Sequence, residues 1–164
     1  MDCDPLAAAL AGSLLSESVS IRSPCAAPSA RQLVIVAGGS RHLAWPVSRV
    51  ALHLLQASSG RSVLALLHGA APGADQAIAA AADQLGWPVI ACPALWQQHG
   101  RAAGPIRNRQ MLHHAIALLA AAPAGAALQV VAFPGGAGTA SLVQHTRSLM
   151  ARSSLPIAIH TIHA

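Results

Sequence analysis

Three short apolar runs, Leu33–Ala37, Val63–Leu67 and Leu128–Phe133, each stop at a glycine-containing turn and lead into a stretch of helical character. Runs of five or six residues dominated by Val, Ile, Leu and Ala suit strands buried on both faces of a sheet. Such strands are parallel, and parallel neighbours need a crossover helix between them. Adding Trp87–Cys92 and Pro156–Ile162 gives five strands separated by helices. The alternation predicts an α/β fold, a doubly wound parallel sheet of about five strands flanked by helices.

The helices follow from spacing and from their ends. Trp45–Gln56 carries Val47, Val50, Leu54 and Leu55 on one stripe, with Pro46 suited to the first turn. Ala74–Leu85 is alanine-rich and closed by Gly86. Arg107–Ala121 has Met111, Leu112, Ile116 and Leu119 as its expected buried stripe, and Ala140–Met150 forms the last helix. Pro88 assigns the third strand to a sheet edge. The connection Pro93–Pro105 has no clear period, and loops of that length in compact domains are often functional. Residues 1–30, rich in serine and with Pro24 and Pro28, read as a leader segment, and 31–164 as the domain.

Composition narrows the partners. The chain has 164 residues, 54% hydrophobic and 9% charged, which fits one folded domain rather than a disordered chain. A net charge of +5 favours an anionic partner, but the ten arginines are scattered and form no polybasic run. A nucleic-acid partner is therefore not expected. Three cysteines without a CxxC pair argue against a disulfide scaffold or a zinc site, and fit a reducing, cytoplasmic setting. His113 and His114 would splay apart on a helix, and His160 and His163 would face opposite sides of a strand, so no metal is expected. Met1-Asp2-Cys3-Asp4 is not the basic start of a signal peptide. The apolar stretch 115–133 is interrupted by Pro123, Gly125 and Gln129 and reads as helix, turn and strand, not as a membrane span.

In doubly wound sheets ligands bind beyond the carboxyl ends of the strands. The glycine turns all fall there. Phe133-Pro134-Gly135-Gly136-Ala137-Gly138-Thr139 joins a strand to a helix, where backbone N–H groups and the helix dipole hold phosphate. Ser40 and Arg41, after Gly39, offer a hydroxyl and a fixed charge, against the plainer roles of helix cap and solvated arginine. Gly69 and Gly73 flank a second turn, and Asp75 either caps the helix after it or accepts hydrogen bonds from ribose hydroxyls. Arg107 is placed to reach an anion and Asn108 to bond the facing loops. Trp96 and His99 could stack on a base, but a lone tryptophan is more often packing, and neither is counted in the site. There is no GxGxxG after the first strand and no GxxxxGK[ST], so a standard dinucleotide site and a P-loop are both disfavoured.

Together, Gly39-Ser40-Arg41, His68-Gly69 to Gly73-Ala74-Asp75, Ala103-Gly104-Pro105-Ile106-Arg107-Asn108 to Met111, and Phe133 to Thr139 closely resemble the YspA/cpYpsA-related family of the SLOG superfamily. The resemblance runs from about Val34 to Ile159 and is most specific over Trp96–Met111. It implies a Rossmann-like domain that senses or processes a nucleotide-derived small molecule, with no further cofactor required and a homo-oligomer compatible with it. The ligand-binding set it implies is Gly39, Ser40, Arg41, Gly69, Gly73, Asp75, Arg107, Asn108, Pro134, Gly135, Gly136, Gly138 and Thr139. The wider superfamily includes the LOG phosphoribohydrolases and the DNA-processing protein DprA. In LOG enzymes the PGGxGT motif continues to a catalytic glutamate three residues after the threonine, and here that place is Leu142. No catalytic residue is assigned; Asp75 is the candidate for a hydrolase. A DprA-like binder of single-stranded DNA would need stacking aromatics, which are 2% of the chain.

Overall fold

The computed structural model describes residues 32–163. The leader, residues 1–30, lies outside them. The elements in order are β1 (Leu33–Gly38), α1 (Val47–Ser58), β2 (Val63–His68), α2 (Ala74–Gln84), β3 (Val89–Ala91), α3 (Trp96–His99), α4 (Ala103–Ala121), β4 (Ala127–Ala132), α5 (Ala137–Met150) and β5 (Ile157–Thr161). The five strands form one parallel sheet in the order β3-β2-β1-β4-β5, as the alternation predicts.

The sheet buries both faces because its strands are apolar at successive positions. Leu33, Ile35 and Ala37 of β1 face α1 and α2, meeting Val50, Leu54 and Ile78. Val34 and Val36 face the other way, onto Met111, Leu112 and Ala115 of α4 and Leu142 of α5. All five of these β1 side chains are fully enclosed, so the strand is fixed in place from both sides. The chain leaves β1 for β2 through α1 on one face and reaches β4 through α4 on the other. The switch in winding direction therefore falls between β1 and β4, and a crevice opens above their carboxyl ends.

Four local expectations are corrected. The connection after β3 is not structureless: it holds the single turn α3 and a 3-10 turn, Gly100–Ala102. Helix α4 begins at Ala103 rather than Arg107, since Pro105 in the first turn has no N–H to leave unpaired there. Ala115, not Ile116, completes the buried stripe of α4. Helix α5 begins at Ala137, so Gly138 and Thr139 belong to its first turn and the connecting loop is shorter than expected. Among the described residues Val89–Ala91 pairs only with β2, at the sheet edge where Pro88 predicts it.

Candidate functional site

Three loops meet above the crevice, and backbone hydrogen bonds hold them together. Ser40 N–H donates to the Pro134 carbonyl at 2.9 Å, and Ala74 N–H donates to the Ser40 carbonyl at 3.0 Å. Phe133 N–H donates to the Gly38 carbonyl at 2.9 Å. The loops after β1, β2 and β4 are thus joined through residues 38–40. Such close approach requires glycine at 39, where a β-carbon would stand 2.7 Å from that of Ala74 and 2.8 Å from that of Phe133.

Between these loops and the start of α4 lies a cavity of about 580 Å³. The first turn of α5 opens onto it through Gly136, Gly138 and Thr139. Gly136 is the N-cap of α5 and supplies no side chain to its free N–H groups, and no other side chain of the described residues caps them. Apart from chain neighbours and the helix's own backbone, no atom of the described residues lies within 4 Å of where a β-carbon at Gly136 or Gly138 would stand. An anion can therefore approach the amides at the positive end of the helix dipole.

The floor is a cluster of buried polar groups. Asp75 is 3% exposed; its Oδ2 accepts from Ala71 N–H at 3.1 Å, and its buried Oδ1 meets no donor in full hydrogen-bonding geometry among the described residues. Burial pushes its carboxyl above the ordinary value, against the opposing pull of Ala71 N–H, Arg107, His68 and Gly69 N–H. His68 is buried beside it, and Nδ1 accepts from Ala70 N–H at 3.2 Å. Burial lowers the His68 pKa, outweighing the attraction of Asp75, so the ring is held neutral with its proton on Nε2. Ala70 has a φ of 54°, a left-handed conformation uncommon without glycine, and it lies on the cavity wall.

Arg107 crosses from α4 to the ends of β2 and β3. One terminal nitrogen donates to the Gly69 carbonyl and, at 3.2 Å, to the Cys92 carbonyl, while Nε donates to Asn108 Oδ1 at 3.1 Å. Burial lowers the guanidinium's pKa while Asp75 raises it. Asn108, 4% exposed, donates from Nδ2 to the Gly138 carbonyl at 3.0 Å and so fastens α4 to the first turn of α5.

The sequence-derived residues divide accordingly. Gly39, Ser40, Arg41, Gly69, Asp75, Arg107, Asn108, Gly136, Gly138 and Thr139 line one cavity. Gly73, Pro134 and Gly135 do not. Gly73, with φ of 76°, turns the chain into α2 against the Arg41 carbonyl, and Gly135 leaves room for the Thr139 hydroxyl. Pro134 and Gly135 border a separate groove of about 500 Å³ on the far side of α5. Asp75 is not a helix cap, since α2 has Gly73 at its N-cap with no side-chain bond. Nor does Ser40 cap a helix: its hydroxyl accepts from His42 N–H at 3.1 Å. Arg107 is already engaged by carbonyls. The ligand set read from the sequence omits His68 and Met111, though both stand in the motifs that carry the resemblance; the structure puts them on or beside this floor. Leu142, where LOG enzymes carry glutamate, is buried and lines the cavity. Among the described residues there is no cluster of three or more His, Cys, Asp or Glu suited to a metal, and no helix long and apolar enough to cross a membrane.

A parallel α/β sheet in this order, with a cavity at the switch point and an uncapped helix N-terminus on its wall, defines a Rossmann-like protein. Residues 32–99 match the model of the YspA, cpYpsA-related SLOG family. That span covers β1 to α3, including the first two glycine turns and Asp75; residues 104–111 and 133–139 lie beyond it and join the site through Arg107 and Asn108. No curated protein matches the chain.

Proposed function

We propose that the cavity binds a nucleotide-derived ligand, with a phosphate on the first turn of α5 and a ribose hydroxyl on Asp75. The observation that carries this reading is the pairing of free amides at Gly136–Thr139 with the buried Asp75 carboxyl, both residue sets lining one cavity. The amides suit an anion. A buried carboxyl with few donors costs stability, and a ligand hydroxyl reaching it would supply a further one. Arg41, exposed on the lining, adds a positive charge; Arg107 acts chiefly by shaping the wall. The family match supports nucleotide-related binding or processing.

Thermal-shift screening with nucleoside mono- and diphosphates, ADP-ribose and NAD tests it: a melting temperature that rises with ligand concentration is expected. No shift with any of them, in wild-type protein, overturns it.

One observation favours a second reading, hydrolysis of a nucleotide's glycosidic or phosphate bond. A carboxyl raised by burial on a cavity wall is a plausible general acid or base. Leu142 offers no acid, so turnover would depend on Asp75. Chromatography for released base or phosphate, with Asp75→Asn as the inactive control, separates hydrolysis from binding alone. Tight, salt-sensitive oligonucleotide binding without any nucleotide shift would instead favour a single-stranded DNA ligand.

A further inference from the structure

Trp96 is the one large aromatic on the cavity wall, and it is 59% exposed. The other large aromatics among the described residues are occupied elsewhere. Trp45 stacks on His53 with the Arg49 guanidinium 3.5 Å from its ring centre, Trp87 packs on the core, and Phe133 is buried. The Trp96 indole rests beside Gly104, whose β-carbon, if present, would stand 3.5 Å from it. Its neighbours on the lining, Pro93 and Ala94, are apolar.

The position of Trp96 relative to the phosphate seat follows from α4. Asn108 is bonded to Gly138 on the first turn of α5. Gly104 lies four residues before Asn108, one helical turn or about 6 Å along the axis. A sugar bridges that kind of span. We infer that Trp96 forms the base-stacking wall of this pocket and gives it a preference for purine nucleotides; the inference rests on the nucleotide reading above. Stacking uses the face of a base and tolerates any edge. Pro93, Ala94 and Gly104 bring no polar side chain to that end of the cavity, so the pocket ranks bases by ring area rather than by hydrogen-bonding pattern.

Calorimetric titration of the full chain with AMP, GMP, CMP and ribose 5-phosphate tests this. AMP and GMP are expected to bind with similar affinity, both more tightly than CMP. The ratio of AMP to ribose 5-phosphate affinity is expected to fall by about tenfold in Trp96→Ala, the order expected for loss of one stacking partner. Trp96→Phe should keep most of that ratio. An unchanged ratio in Trp96→Ala, or tighter binding of CMP, overturns the stacking wall while leaving the phosphate pocket standing. If neither AMP nor ribose 5-phosphate binds the wild type, this inference falls, whereas the nucleotide reading fails only if the diphosphates, ADP-ribose and NAD also leave the melting temperature unshifted.

Discussion

The Arg107 guanidinium occupies the space in front of Gly69 that any other residue would fill with its β-carbon. It donates to the Gly69 carbonyl from that position, so the glycine is at once the seat and the acceptor. Gly69→Ala would force the side chain out and break its bonds to the β2 and β3 ends. A loss of about 1–3 kcal/mol is expected from urea unfolding. Much of that loss should disappear when Gly69→Ala is made in an Arg107→Ala background, because the clash has then gone. Strict additivity in this double-mutant cycle would contradict the contact.

Glycines 39 and 138 should respond in opposite ways. At Gly39 the obstacles are β-carbons fixed to the backbone, and Gly39→Ala should destabilise by about 1–3 kcal/mol. At Gly138 the space is open and the backbone is helical, so Gly138→Ala should be neutral or stabilising by up to about 1 kcal/mol. The same methyl intrudes on the proposed phosphate seat and should weaken nucleotide binding. Thermal melts with and without ligand read both effects.

Asn108 supplies a donor where Gly138 presents a carbonyl. Asn108→Asp replaces that donor with a second acceptor in a buried position. A destabilisation of about 1–3 kcal/mol is expected above the carboxyl's titration range, with partial recovery in acid as the group protonates. Chemical denaturation at pH 7 and pH 4 distinguishes this from a simple packing defect, which would not depend on pH.

Asp75 and His68 make opposite contributions to the pH dependence of stability. Burial raises Asp75 above its ordinary value of 3.8, so the folded state holds that proton more tightly than the unfolded chain. Stability from this group falls as pH rises from 3.8 through the raised value, and is level above it. His68 is lowered below 6.5, so the folded state resists its protonation, and stability is lost as pH falls from 6.5 through the lowered value. Asp75→Asn should therefore gain on the wild type as pH rises through the Asp75 window, and show no relative gain below 3.8. His68→Gln should flatten the loss on the acid side of 6.5. Denaturation midpoints across pH 3 to 8 measure both.

Much of this architecture was legible because the signals were local. Strands β1, β2 and β4 are unbroken apolar runs, and burial on both faces leaves such runs few other places to go. The gathering of the glycine turns followed from parallel winding alone. Roles within the site were harder, because they depend on partners far along the chain. The sequence places Arg107 to reach an anion; the structure adds that one terminal nitrogen bonds Gly69 and Cys92, 38 and 15 residues away, while the residue still lines the cavity. Pro134 and Gly135 shared a motif with Gly136 and Gly138, but the early start of α5 turned the first pair toward the other groove. Nothing about His68 within its own strand announced that it would sit beside a buried carboxyl on a different element.

The junction at Ser40 is made by main-chain atoms on both sides. An alanine scan would pass over it, since replacing the serine leaves its amide and carbonyl in place. Distant relatives of this chain could then differ widely at position 40 and still bring the same three loops together, whereas proline there, lacking the N–H, would cut the tie to Pro134.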